Sequence, residues 1–129
     1  ARTKTYRGRR GRVTLYVLFG ILVGALSSGT GLGGGFLVVP FLIYLGKTVK
    51  ISVGTSILYV FVVAISSLIT HYRMGNVDVK TGLILAAGGI LGAQAGPHFL
   101  SLLPEVIFKR GFGTIMIAAG LWLIINPKP

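Results

Sequence analysis

The sequence predicts an all-α integral membrane protein with about four transmembrane helices and one glycine-broken, re-entrant half-helix. Of its 129 residues, 53% are hydrophobic and only 12% are charged, against about 25% charged residues in a typical soluble domain. A chain of this length cannot bury so many apolar residues inside a small globule and cover them with its own polar groups. Long apolar runs also alternate with short polar breaks, as in a multi-pass membrane protein.

The positive charge is concentrated before the first apolar run. Lys and Arg number 13 against 2 acidic residues, and six of the 13 lie within residues 1–12. A basic arm beside a hydrophobic segment is typical of a cytoplasmic anchor on anionic lipid. No aromatic ladder or folded recognition element follows it, so we expect no nucleic-acid partner. We divide the chain into a basic cytoplasmic arm or linker, residues 1–12, and a transmembrane repeat, residues 13–129.

Five apolar segments follow the arm, and one of them is only half as long as a bilayer is thick. The run Ile51–Thr70 has 20 residues and spans about 30 Å, the thickness of one bilayer core. The run Phe36–Leu45 has 10 residues and reaches about 15 Å. The other three predicted segments are Val13–Gly29, Thr81–Gly96 and Gly111–Ile125.

The break before the half-length segment contains five glycines in seven residues, Gly29–Gly35. Each glycine inside a helix costs about 1 kcal/mol relative to alanine, so we predict a helix, a glycine-rich turn and a half-helix that returns to the starting side. This course places ten of the 13 basic residues on the side of the arm. The positive-inside rule then predicts a cytoplasmic N-terminus in the cell inner membrane.

Glycines also mark the fourth segment. Gly88, Gly92 and Gly96 recur every four residues, which leaves one helix face almost bare and favours close approach of another helix. Pro40 lies inside the half-helix, where we expect it to shape the backbone.

The residues give little support to catalysis. His71 and His98 lie at the ends of segments, and Asp78 and Glu105 lie in opposite loops. No spacing suits a metal site, a nucleophile with its base or a nucleotide, so we expect no enzyme activity, no metal and no cofactor.

Polar residues without intramembrane charge run through the apolar segments; Ser27, Ser28 and Thr30 lie at the break, and Ser67 lies in the third segment. A half-helix that starts near Phe36 would direct free N–H groups and its positive dipole end toward the middle of the membrane. This arrangement suits an anion, as the broken helices of secondary transporters do.

Three motifs in this order resemble the TauE/SafE sulfite-exporter family. Gly31–Pro40, GLGGGFLVVP, resembles the family's GxGGGFLxVP signature, and Val53–Ser56, VGTS, resembles its second marker. His71–Val77 resembles its helix-ending H/Y-x-x-x-G-x-V motif, and the likeness covers residues 20–123. Members usually carry this unit twice, whereas it occurs once here. The resemblance therefore implies either two copies that pair or one half of a longer chain.

The resemblance implies a permease that exports small anions, such as sulfite, sulfonates or other organosulfur compounds, as a dimer of repeats. The substrate-binding candidates are the backbone amides of Gly33, Gly34 and Gly35, the hydroxyls of Thr55 and Ser56, and the side chain of Gln94. Two alternatives stay open: a small membrane assembly subunit without transport activity, and a narrow anion channel.

Overall fold

The computed structural model describes residues 3–127, with the side chains of residues 10–127. All regular secondary structure in this part is helical. Its elements in chain order are α1 (Thr3–Thr30), α2 (Gly35–Tyr44), α3 (Val49–Arg73), α4 (Val79–Ser101) and α5 (Glu105–Ile125). Residues 10–30 of α1 and the whole of α3, α4 and α5 are long and apolar enough to cross a membrane, and α2 is a shorter apolar helix of 10 residues. The predicted fold class is confirmed.

The first helix begins earlier than the first apolar run. It starts at Thr3 rather than near Val13, so the predicted boundary at residue 12 falls inside α1. Arginine and lysine are good helix formers, and no proline interrupts these residues, so the basic stretch can continue the membrane helix. Residues 1 and 2 of the predicted arm lie outside the described residues.

The described chain forms two units that meet at Val77 and Asp78. In the first unit, α1 and α3 run in the same direction. Tyr59 donates a hydrogen bond to the carbonyl oxygen of Gly20 at 2.9 Å, and further along both helices the Ser28 and Ser67 hydroxyls lie 2.8 Å apart. Sequence numbers therefore rise together along the two helices.

The short helix α2 runs against them. Gly34, just before its start, lies beside Ser27, whereas Phe41 stacks on Phe19 with ring centroids 3.7 Å apart. As α2 proceeds, its contacts on α1 move back toward the N-terminus. This antiparallel course confirms the predicted return of the half-helix toward the end of the unit where α1 begins.

A small apolar core holds the three helices together. Val23 of α1 is 2% exposed, and Val38 and Leu42 of α2 are each 7% exposed. Phe19, Leu37, Phe41 and Tyr59 pack around them. Most residues of α3, α4, α5 and the described part of α1 from residue 10 are exposed, and many of them are large and apolar, which is expected where lipid chains or further membrane helices surround the protein.

In the second unit, α4 begins with an Asp78 cap and carries the predicted glycine face. A Cβ atom added at Gly88, Gly92 or Gly96 would meet no heavy atom within 4 Å. Within the second unit, the described residues therefore make no close helix contact on this face. Contact with a second copy stays a prediction.

Candidate functional site

The glycine-rich turn between α1 and α2 depends on backbone conformations that glycine alone adopts easily. Gly31, Gly33 and Gly34 have φ angles of 71°, 78° and 67°, all in the left-handed region that side chains with a Cβ disfavour. Three such residues lie within four positions, and together they reverse the direction of the chain directly after α1. The turn thus sets the direction of α2.

The turn leaves a run of amides unpaired. The Gly31 N–H donates to the Ser27 carbonyl at 2.8 Å, and the N–H groups of Leu37 and Val38 donate to the Gly34 carbonyl at 3.1 and 3.2 Å. Within the described chain, the amides of residues 33–36 have no hydrogen-bond partner. Unpaired N–H groups at the positive end of a helix dipole form an anion-binding arrangement.

Two buried serines form walls beside these amides. Ser27 is 5% exposed; its Oγ atom would lie 3.2 Å from a Cβ atom on Gly34, and it forms no hydrogen bond with the described residues. Ser56 is 4% exposed, donates to the Val53 carbonyl at 2.7 Å, and would lie 3.7 Å from a Cβ atom on Gly35. Both hydroxyls therefore border the start of α2.

The start of α2 lies beside the middle of α3. A Cβ atom at Gly33 or Gly35 would contact the side chain of Val60, at 3.6 and 3.3 Å respectively. Val60 is near the midpoint of the 25-residue α3, about 17 Å along its axis from Val49 at 1.5 Å per residue. A helix of this length can span a bilayer, and the unpaired amides lie level with its middle.

The structure brings together four of the six predicted binding residues: Gly33, Gly34, Gly35 and Ser56. Thr55 adjoins Ser56 in α3 but is exposed, and Gln94 is exposed on α4 in the second unit. Pro40 lies inside α2. It has no N–H to donate to the Phe36 carbonyl, so it weakens the helical ladder as expected.

An open groove of about 630 Å³ extends from the turn along α1 and α3. Its lining consists of Ser27, Ser28, Gly29, Thr30, Gly31, Gly33, Val60, Val63, Ala64, Ser67, Leu68, His71, Asn76 and Val77. The groove connects the Ser27 and Gly33 end of the turn with the ends of α1 and α3. Of the unpaired amides, that of Gly33 belongs to a residue that lines this groove, together with Ser27, whereas Gly34, Gly35 and Ser56 are not among its lining residues.

His71 is the groove residue to which sequence reasoning gave no function. Its Nε2 atom lies 2.8 Å from the Ser28 carbonyl oxygen, and the Ser28 hydroxyl lies 2.8 Å from that of Ser67. Ser67 and His71 are four residues apart in α3 and therefore lie on one helix face. This spacing was the signal that could have linked His71 to the polar residues of the break.

Comparison with known proteins identifies the family. The sequence profile described as Sulfite exporter TauE/SafE matches residues 16–129. The chain belongs to this family. Probable membrane transporter protein YunE of Bacillus subtilis is 31% identical over 122 residues, which cover 88% of this chain and 45% of YunE. Probable membrane transporter protein MJ0441 of Methanocaldococcus jannaschii is 30% identical over 116 residues, covering 84% of this chain and 43% of that protein.

A plant member of the TauE/SafE family is also similar. Sulfite exporter TauE/SafE family protein 3 of Arabidopsis thaliana is 25% identical over 113 residues, covering 88% of this chain and 24% of that protein. No solved structure matches the chain significantly. The chain thus spans less than half the length of these relatives. Its described residues include four helices long and apolar enough to cross a membrane, and it is a multi-pass membrane protein of the family.

Proposed function

We propose that this chain forms one half of a membrane permease that exports small anions, with sulfite, sulfonates and related organosulfur compounds as the substrate class. The observation that carries the proposal is the run of unpaired amides at residues 33–36, which lie level with the middle of α3 and beside Ser27, a residue that is 5% exposed. The names of the relatives, probable membrane transporters and a sulfite exporter family protein, support the same class.

The chemistry of the turn favours an anion over a cation. Backbone N–H groups donate hydrogen bonds, and the N-terminal end of α2 adds a positive partial charge. Among the described groove residues there is no carboxylate that would attract a cation. We propose that the amides of Gly33, Gly34 and Gly35 hold the oxygen atoms of the substrate, while the hydroxyls of Ser27 and Ser56 complete its coordination.

Thr55 and Gln94 complete the proposed set. Thr55 is exposed one position before Ser56, and Gln94 is exposed on α4. We propose that these two side chains contact the anion once the second half of the transporter is in place. That half is either a second copy or the remainder of a longer protein. That second half would also cover the open side of the groove, because amides facing lipid without a partner each cost several kcal/mol.

The proposed setting is the cell inner membrane with the N-terminus in the cytoplasm. Arg10 and Arg12 lie in the first half of α1, and Lys47 and Lys50 flank the start of α3, which runs parallel to α1, whereas Arg73 lies at the other end of α3. This bias toward one side follows the positive-inside rule.

Flux measurement in proteoliposomes tests the proposal. We expect saturable flux of labelled sulfite, and Ser27→Ala should raise the concentration for half-maximal flux about 10- to 100-fold, because a hydrogen bond to a charged group is lost. Ser66→Ala is the matched control, since Ser66 lies on α3 but does not line the groove. Equal half-saturation in all three proteins would remove Ser27 from the site.

The same assay separates the alternatives. Absence of anion flux from the intact wild-type protein would favour the assembly subunit, and flux that rises linearly with anion concentration would favour the channel. Thr55→Val and Gln94→Leu, measured separately, test the proposed contributions from the second half. Wild-type half-saturation in either variant removes that residue from the site.

A further inference from the structure

We propose that Val60 is the specificity-determining residue of the anion site, which favours sulfonates with little bulk on the carbon bonded to sulfur over sulfonates branched at that carbon. This inference rests on the proposed function, since it narrows the substrate class of the same site. Two observations carry it: the contacts of Val60 with the glycines of the turn, and its place at the inner end of the groove.

The two methyl groups of Val60 lie against two glycines whose amides are unpaired. Its Cγ1 atom would lie 3.6 Å from a Cβ atom on Gly33, and its Cγ2 atom would lie 3.3 Å from a Cβ atom on Gly35. The second distance is shorter than an ordinary van der Waals contact, so Val60 already fills the space that a side chain on Gly35 would need. One side chain therefore borders two of the proposed donors.

Val60 also marks where the groove ends on α3. The α3 residues of the lining run from His71 back to Val60, whereas Ser56, about one helical turn before Val60, is not among them. Gly33 lines the groove as well, and Val60 is the side chain of α3 that contacts its Cβ position. An anion that enters along the groove and reaches the Gly33 amide therefore arrives beside Val60.

The orientation of a bound sulfonate follows from its tetrahedral sulfur. Its three oxygen atoms accept hydrogen bonds and therefore face the donors of the turn, so its carbon is directed back into the groove. Branches on that carbon spread sideways, toward the methyl groups of Val60. Valine is branched at Cβ and has one strongly preferred χ1 rotamer in a helix, so these methyl groups do not turn aside for a bulky ligand.

Methanesulfonate and propane-2-sulfonate are suitable probes, because they share the same charge and the same sulfonate group. They differ by two methyl groups on the carbon bonded to sulfur. One methylene more or less in a hydrophobic pocket changes specificity about 10- to 200-fold, and a steric clash is an effective means of rejecting a ligand. For the intact wild-type protein in proteoliposomes, we expect propane-2-sulfonate to need a concentration about tenfold higher for half-maximal flux.

Val60→Ala is the decisive variant, because it removes from the protein the two methyl groups that the larger probe adds. We expect the ratio of the two half-saturation concentrations, propane-2-sulfonate over methanesulfonate, to fall about tenfold. Val60→Ile adds a carbon at the same place and should raise this ratio. A general loss of stability changes the amount of active protein but not the ratio, so the ratio separates a specificity role from a structural one.

Val62→Ala is the matched control on the same helix. Val62 is 59% exposed, does not line the groove and lies about 200° around the helix axis from Val60. This variant loses the same two methyl groups from α3 at a position away from the turn, so it should keep the wild-type ratio.

The outcomes distinguish this inference from the proposed function. Wild-type protein with equal half-saturation for the two sulfonates overturns the inference alone, whether or not a variant folds, and so does transport of sulfite without transport of either sulfonate. A wild-type ratio in both Val60→Ala and Val60→Ile, or an equal fall in Val62→Ala, also overturns it. Wild-type protein with no flux of sulfite or of either sulfonate overturns the proposed function and this inference with it.

Discussion

Replacement of Gly34 by alanine tests how the turn places the start of α2. Gly34 has φ +67°, and a left-handed conformation costs a residue with a Cβ about 1–2 kcal/mol. The new Cβ atom would also lie 3.1 Å from Val23 Cγ1 and 3.1 Å from Ser27 Cβ. Val23 is 2% exposed and has no room to yield, so overpacking adds about 1–3 kcal/mol. We expect a total loss of about 2–5 kcal/mol in the free energy of unfolding.

Gly31→Ala is the matched control for the backbone contribution. Gly31 has φ +71°, close to that of Gly34, but a Cβ atom there would meet no heavy atom within 4 Å. It should lose only the conformational part, about 1–2 kcal/mol. The difference between the two variants therefore isolates packing of the turn against α1.

Unfolding in mild detergent by titration with sodium dodecyl sulfate, followed by far-ultraviolet circular dichroism, measures both variants. The reasoning is refuted if Gly34→Ala is no less stable than Gly31→Ala, because the close contact with Val23 and Ser27 would then have no energetic consequence.

Three further predictions concern other contacts. Tyr59→Phe removes the 2.9 Å hydrogen bond to the Gly20 carbonyl and should lower the free energy of unfolding by about 0.5–1.5 kcal/mol, measured by the same titration. Gly92→Leu should lower the dimer fraction of the protein, measured by mass in mild detergent or nanodiscs, because leucine would prevent close approach of a second copy. The Thr81 hydroxyl and N–H, which donate to Asp78 at 2.6 and 3.1 Å, hold the pKa of that carboxyl below its ordinary value. Its folded pKa is depressed, so the stabilising effect of Asp78 is present at neutral pH and should be lost as the pH falls below about 4, which a pH series of unfolding midpoints checks.

Each of these predictions has its own control. Tyr44→Phe should leave stability unchanged, since Tyr44 is 87% exposed; an equal loss in both tyrosine variants would contradict the first. Ala87→Leu places the same bulk on a different face of α4, about 140° around the axis from Gly92, and an equal drop in dimer fraction would contradict the second. Asp78→Asn retains a capping oxygen but does not titrate, so an unchanged pH dependence in that variant would contradict the third.

Some residues of the candidate site were predictable from local sequence patterns, whereas others are brought to it by contacts between residues far apart in the chain. The amides of Gly33, Gly34 and Gly35 were predictable because the local glycine pattern alone interrupts the helix. Ser56 was predictable from its place in the VGTS motif, but Ser27 and His71 were not assigned to the site. Their positions beside the turn and the groove depend on contacts between helices that are far apart in sequence, which local spacing does not indicate.

The sequence by itself determined the class of the protein and the position of its break. Apolar runs of fixed length require membrane helices because backbone polar groups in a bilayer must be satisfied internally, and left-handed glycines require a turn wherever they cluster. The tertiary structure alone decided that Ser27 and Ser56 border the start of α2, and that His71 bonds Ser28 across 43 positions in sequence. Such contacts arise from side-chain packing among Val23, Val38 and Leu42, and the apolar pattern specifies only that these residues are buried, not which neighbours bury them.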